Sequence, residues 1–184
     1  MRIRYNAPVT LTFTLVAAAV LSIDQFAGRT LTRSFFSIGP TLDWQNPLQW
    51  LRLFTHVIGH ADWNHFMGNF AFVLLLGPIL EEKYGSGSLL FMMLITAFVT
   101  GLLNVLVMNT GLLGASGIVF MMILLVSFTN IRSGEIPLTF ILIVALYLTR
   151  EIVNAVRQDT ISQFAHIVGG ICGSLFGFMR PRRS

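Results

Sequence analysis

The sequence predicts an all-α, polytopic membrane protein built as a bundle of six spanning helices. Apolar side chains make up 54% of the chain and charged ones only 11%, with a mean hydropathy of +0.74, whereas a soluble domain carries about 25% charged residues. The apolar residues also gather into runs long enough to cross a bilayer, with glycine, proline, asparagine and charge collected between them. A chain of 184 residues has room for six such runs and short connections, so residues 1–184 are expected to form a single membrane domain. The one cysteine, Cys172, excludes an intramolecular disulfide and a paired-thiol redox centre. The excess of 12 basic over 8 acidic residues is spread over ends and loops, which argues against a nucleic-acid partner and for markers of membrane orientation.

The first span is expected at 8–26. Arg2 and Arg4 ahead of it resemble the start of a secretory signal. However, Thr10, Thr12, Phe13 and Thr14 interrupt the apolar core, and Ser22-Ile-Asp-Gln25 is a poor cleavage site, so the span is expected to be retained. Residues 27–52 hold Gly39-Pro40, Asn46-Pro47, Trp44 and Trp50, a composition that breaks a spanning helix and suits a loop at the membrane surface. The second span, 63–80, has Asp62 as its cap, His65 as an early position and Asn69 one turn deeper, with His56 and His60 in the turn leading into it. Glu81-Glu-Lys-Tyr-Gly85 ends it.

The third span is expected at 88–108, interrupted by Asn104, and a short turn leads to the fourth at 112–128. Asn130 to Glu135 is a loop, Pro137 opens the fifth span at 137–154, and the sixth runs over 161–178 before Arg180-Pro-Arg-Arg-Ser184. Six spans put both termini on one side. With the termini in the cytoplasm, Arg2, Arg4, Lys83, Arg132, Arg180, Arg182 and Arg183 lie inside and outnumber Arg29, Arg33, Arg52, Arg150 and Arg157 outside. That orientation puts the starts of the second, fourth and sixth spans toward the outside. His65, Asn69, Ser116 and His166 then fall in one layer of the membrane.

Those four residues suggest a chemistry. A serine among small residues is often only a packing residue, but paired with a neutral imidazole that accepts its proton it becomes a nucleophile. No intramembrane carboxylate is evident to orient the ring, so a dyad of Ser116 and His166 is more economical than a triad. Gly169, Gly173 and Gly177 share a helical face with His166 and allow a neighbouring helix to approach closely. His65 and Asn69 can both donate hydrogen bonds from one face toward a developing oxyanion, joined by a backbone N–H at Ser116. His56, His60, His65, Asp62 and His166 could also ligate a metal, yet there is no His-Glu-x-x-His sequence, and a helical projection separates the second-span histidines. No cofactor and no metal is expected.

The chain resembles the rhomboid family of intramembrane serine proteases over approximately Pro8 to Met179. The resemblance lies in Leu51-Arg-Leu-Phe-Thr-His-Val-Ile-Gly-His60, His65-Phe-Met-Gly-Asn69, Glu81-Glu-Lys-Tyr-Gly85, Gly114-Ala-Ser-Gly117 and Ala165-His-Ile-Val-Gly169. It implies a rhomboid-like six-helix bundle in which Ser116 is the nucleophile, His166 the general base and then acid, and His65 and Asn69 the oxyanion donors. His60, Gly114, Gly117, Phe120 and Gly169 have supporting places around them. Two positions depart from the family pattern. A tryptophan-arginine pair of the first loop appears as Leu51-Arg52 behind Trp50, which concerns loop anchoring, and Phe120 stands where tyrosine is frequent, so its ring is expected to pack beside His166 without a phenolic hydrogen bond.

The resemblance further implies cleavage of spanning segments of membrane proteins near the extracytoplasmic side, through an acyl-enzyme. A small residue before the scissile bond fits the limited room at Gly114, Ala115 and Gly117. Water is expected to enter through an outward polar cavity lined by His60, His65 and Asn69. The expected partners are transmembrane substrates and membrane lipid, with no obligate protein partner. A catalytically silent relative that binds spanning helices for quality control or trafficking is the alternative.

Overall fold

Pro8, with its preset φ and missing N–H, opens the first helix. The computed structural model describes residues 4–28, 30–108, 110–131 and 160–179, together with 138, 141, 142, 145, 146 and 149. Its helices are α1 (Pro8–Phe26), α2 (Thr30–Phe35), α3 (Pro47–Thr55), α4 (Trp63–Tyr84), α5 (Ser86–Leu103), α6 (Ser116–Ile131) and α7 (Thr160–Met179), and α5 continues into a π-helical turn at Asn104–Met108. Among the described residues the only extended pairing is one antiparallel bridge between Ile38 and Leu112. Among the described residues three helical stretches are long and apolar enough to cross a membrane, Pro8–Phe26, Trp63–Tyr84 and Ser86–Met108. This is an all-α, multi-pass membrane bundle.

The first, second, third and sixth expected spans coincide with α1, α4, α5 with its π turn, and α7, the second running on to Tyr84. The fourth begins later than expected. Residues 112–115 are not helical, because Leu112 exchanges both backbone hydrogen bonds with Ile38 (2.9 and 3.0 Å) and Gly114 N donates to the His56 carbonyl at 2.9 Å. The expected fifth span, 137–154, lies almost wholly outside the described residues.

α6 is the centre of the bundle. Ile118, Val119, Met121, Met122, Ile123 and Leu125 are all closed off from the surface, as a helix that is apolar on every side must be. α4, α5 and α7 pack around it, while Leu15, Leu74, Leu75, Leu90 and Leu94 on the outer helices remain exposed, as side chains facing lipid should. Between α1 and α4 comes the surface passage. Asp24, near the end of α1, accepts from the N–H groups of Leu31 and Thr32 at 2.8 and 3.1 Å and so starts α2. Asn46 caps α3 through Leu48 N at 3.0 Å. Arg52 Nε donates to the Ser34 carbonyl at 2.8 Å and Thr55 Oγ1 to that of Phe35, which ties α3 to the end of α2. Trp44, in the loop ahead of α3, packs edge to face on Trp50 of α3, with ring centroids 5.3 Å apart.

The start of α1 is held from a distance. Ala7 gives it no side-chain cap; the carboxylate of Glu81, from the last turns of α4, accepts from Val9 N (2.9 Å), Thr10 N (3.1 Å) and Thr10 Oγ1 (2.9 Å). A charge here satisfies orphan donors and meets the positive end of the helix dipole. Glu81→Ala should lower stability by about 3 kcal/mol, since buried N–H groups next to lipid lose a charged acceptor. Unfolding in detergent mixtures would measure it, and unchanged stability would show that α1 is anchored by its apolar face alone.

Candidate active site

The segment leading into α6 is fixed before any side chain is considered. The Ile38–Leu112 bridge and the Gly114–His56 hydrogen bond hold it against the surface passage, and Asn104 Nδ2 donates to the Thr110 carbonyl at 2.7 Å just ahead of it. Gly114 then adopts φ of 111°, a conformation that a side chain would strain. Two residues later Ser116 is the first residue of α6, rather than a few residues into a span, and is half-buried. Its N–H stands at a position that has no acceptor within a helix.

Gly114 also meets the N-terminal end of α4. A Cβ at this position would lie 2.6 Å from His65 Cε1, 2.7 Å from His65 Nε2 and 3.7 Å from Asn69 Nδ2. The order along α4 is as expected, with the Asp62 carboxylate capping it through His65 N at 2.8 Å. His65 is half-buried and Asn69, one turn on, is buried.

α7 approaches from the other side. A Cβ at Gly169 would overlap the Gly117 carbonyl, and one at Gly173 the carbonyl of Met121, so both glycines are required for the two backbones to touch. Gly117 in turn lies against the Ala165 carbonyl and Thr100 Oγ1, at 3.4 and 3.3 Å from its own missing Cβ. His166, next to Ala165, is buried and stacks on Phe120, with ring centroids 4.2 Å apart and planes 10° from parallel. The ring of Phe120 therefore occupies the place expected for it, one turn along α6 from Ser116. His65 packs beside His60, with ring centroids 4.9 Å apart. His65 and Asn69 thus border Gly114, two residues before Ser116, while α7 lays His166 on Phe120, one turn of α6 after it.

His60 differs from expectation. Its ring is only 2% exposed, packed beside His65, Phe66 and Phe70 at centroid distances of 4.9, 5.6 and 5.4 Å, so it supports the site from behind rather than lining an open cavity. The sequence offers His56 only as one of several potential metal ligands and gives Thr100 no site role. His56 Nε2 donates to the Ala97 carbonyl at 3.2 Å while its own carbonyl holds Gly114. A separate apolar cavity of about 480 Å³ lies between α1, α3 and α5, bordered by Phe13, Phe54, Met93 and Ile118, and none of the polar site residues lines it.

Residues 47–183 match the Rhomboid domain. The chain belongs to the rhomboid family. Among the relatives it is similar to, the rhomboid protease GlpG of Pectobacterium atrosepticum is 27% identical over 175 residues, covering 93% of this chain and 62% of that protein. The rhomboid protease GlpG of Photorhabdus laumondii is 30% identical over 135 residues, 72% of this chain and 46% of the relative. The Arabidopsis thaliana protein named rhomboid-like protein 11, chloroplastic, is 24% identical over 140 residues, 67% of this chain and 50% of the relative. This rhomboid therefore spans roughly half of these longer relatives.

Two rings at the rim of this rhomboid site set a pH dependence of folding. Burial lowers His56 from 6.5 to about 3 and, with help from nearby His65, His60 from 6.5 to about 4. In the unfolded chain both rings bind a proton below 6.5 and in the native protein they do not, so stability is complete above that value. It is lost as pH falls, by about 1.4 kcal/mol per pH unit for each ring, until the native rings themselves protonate. Unfolding titrations across the window from 6.5 to about 4 should show this slope, reduced by about half in His60→Gln; a flat profile would mean that the rings are solvated.

Proposed function

We propose that this rhomboid is a serine endopeptidase that cuts transmembrane segments of other membrane proteins near the extracytoplasmic side. Residues 1–184 form one six-span domain with both termini in the cytoplasm, and its partners are the substrate's spanning helix and the surrounding lipid. Ser116 Oγ attacks the scissile carbonyl as His166 takes its proton, and His166 returns that proton to the leaving amine. Water then hydrolyses the acyl-enzyme with His166 again acting as base. His65, Asn69 and the Ser116 N–H donate to the oxyanion formed in both halves. No cofactor enters the scheme.

The observation that carries this reading is the convergence on the Gly114–Gly117 turn. His65 and Asn69 reach it from α4, while α7 packs Ala165 and Gly169 against Gly117 through a contact that tolerates only glycine and sets His166 on Phe120. A hydroxyl at the first position of a helix, with unbonded N–H groups beside it, has the features of a nucleophile next to its anion site. The order of spans supports the depth of the cut, since α4, α6 and α7 all begin on the side where these residues lie.

A fluorophosphonate probe should label Ser116 in wild type, with the site read by mass spectrometry. Labelling and cleavage of a transmembrane model substrate should both disappear in Ser116→Ala and in His166→Ala, with the fold retained. A folded wild type that neither labels nor cleaves would favour a silent helix-binding protein, and chelator-sensitive cleavage surviving in Ser116→Ala would favour a metal centre. In the same assay, glycine or proline near the outer end of the substrate's span should speed cleavage, because a carbonyl can be presented only after helical hydrogen bonds are lost in lipid. Equal rates across such a series would contradict entry by local unwinding.

A further inference from the structure

The hydrogen bonds around His60 form a chain with one direction. Nδ1 lies 3.0 Å from the Ile58 carbonyl, and Nε2 lies 3.2 Å from Asn69 Nδ2. A carbonyl only accepts, so the proton of a neutral ring resides on Nδ1 and Nε2 presents a lone pair. Phe66 and Phe70 pack against the ring and Asn69 covers its far edge, an environment that favours the neutral form. Asp62 and His65 are the other titratable groups that act on it. Only the NH₂ of Asn69 can donate to that lone pair, so the amide cannot turn its oxygen toward His60. The same Nδ2 is the Asn69 atom nearest the missing Cβ of Gly114.

We propose that His60 is a positioning residue, which orients the Asn69 amide so that a donor, and not the carbonyl oxygen, faces the turn bearing Ser116. An amide has two N–H bonds; one is used on His60 and the second is left to point toward the site. Without the lone pair on Nε2 the amide can rotate, and in the flipped state its oxygen would repel a developing oxyanion. The orientation is imposed by a backbone carbonyl of the segment after α3, through a ring, onto a helix four residues deeper than His65. His60 itself touches no reacting atom.

The inference rests on the protease reading for its consequence, so its test has two arms. In proteoliposomes with a transmembrane substrate, His60→Phe keeps an aromatic ring in place and removes the acceptor. It should lower kcat by roughly tenfold, the effect of one hydrogen bond, with little change in KM. Asn69→Ala should lower kcat by roughly a hundredfold, and the double variant should be no slower than Asn69→Ala alone. His60→Gln, whose amide oxygen can accept, should recover part of the loss. Multiplying deficits in the double variant, or wild-type kcat in His60→Phe, would overturn the proposal.

The second arm needs no turnover. ¹⁵N spectra of histidine-labelled wild type should show His60 neutral with Nδ1 protonated, and the Nε2 resonance should move in Asn69→Ala. The opposite tautomer, or an Nε2 signal indifferent to Asn69→Ala, would overturn the orienting role even in an active protease. An inert wild type with the expected ¹⁵N pattern would instead uphold the pairing and remove the protease reading.

Discussion

The contact between Gly169 and the Gly117 carbonyl is the constraint on which the rest of the site depends. In lipid there is no hydrophobic gain from bringing two apolar helices together, so their association relies on close packing. Two glycines one turn apart on α7, each seated on a backbone carbonyl of α6, give the closest form of that packing. The result is positional. His166 is held three residues before Gly169 and Ser116 one residue before Gly117, so a shift of either helix would separate them. The stacking of Phe120 on His166 then sets the ring plane.

On the other side the site is built from backbone. The bridge at Leu112 and the hydrogen bond from Gly114 to His56 attach the start of α6 to the passage between α1 and α4. That passage is itself held by Asp24, Arg52 and Thr55. Each of these bonds would be weak in water, where a competing partner is always near. At the edge of a bilayer an unmade bond is more costly, and the loops therefore act as structural members.

Local features were legible in the sequence and remote ones were not. Asp62 could be read as a cap because its acceptor serves an N–H three residues on, and His65 and Asn69 followed from helical spacing. The glycines of α7 were legible because a small-residue face has few other uses in a spanning helix, whereas the packing of Phe120 followed from the family resemblance. Residues 112–115 were misread as the start of a span, since Leu112, Leu113 and Ala115 are apolar and their extended form is imposed by Ile38 and His56. His60 looked like the lining of a cavity because nothing in its neighbourhood reveals that Phe70 closes over it. Glu81 looked like the end of a helix and nothing more. Its partners lie 71 and 72 residues earlier, beyond the reach of any local pattern.

That separation has a consequence for biosynthesis. The ribosome makes the first turn of α1 long before it makes the carboxylate that completes it. Until Glu81 has entered the bilayer with the end of α4, the leading N–H groups of α1 must stay hydrated at the membrane surface, because lipid offers them no acceptor. The first helix is thus free to shift in depth while three later helical segments are added. Its first turn is completed only when the end of α4 arrives, so the N-terminal helix is finished by a residue nearly halfway along the chain.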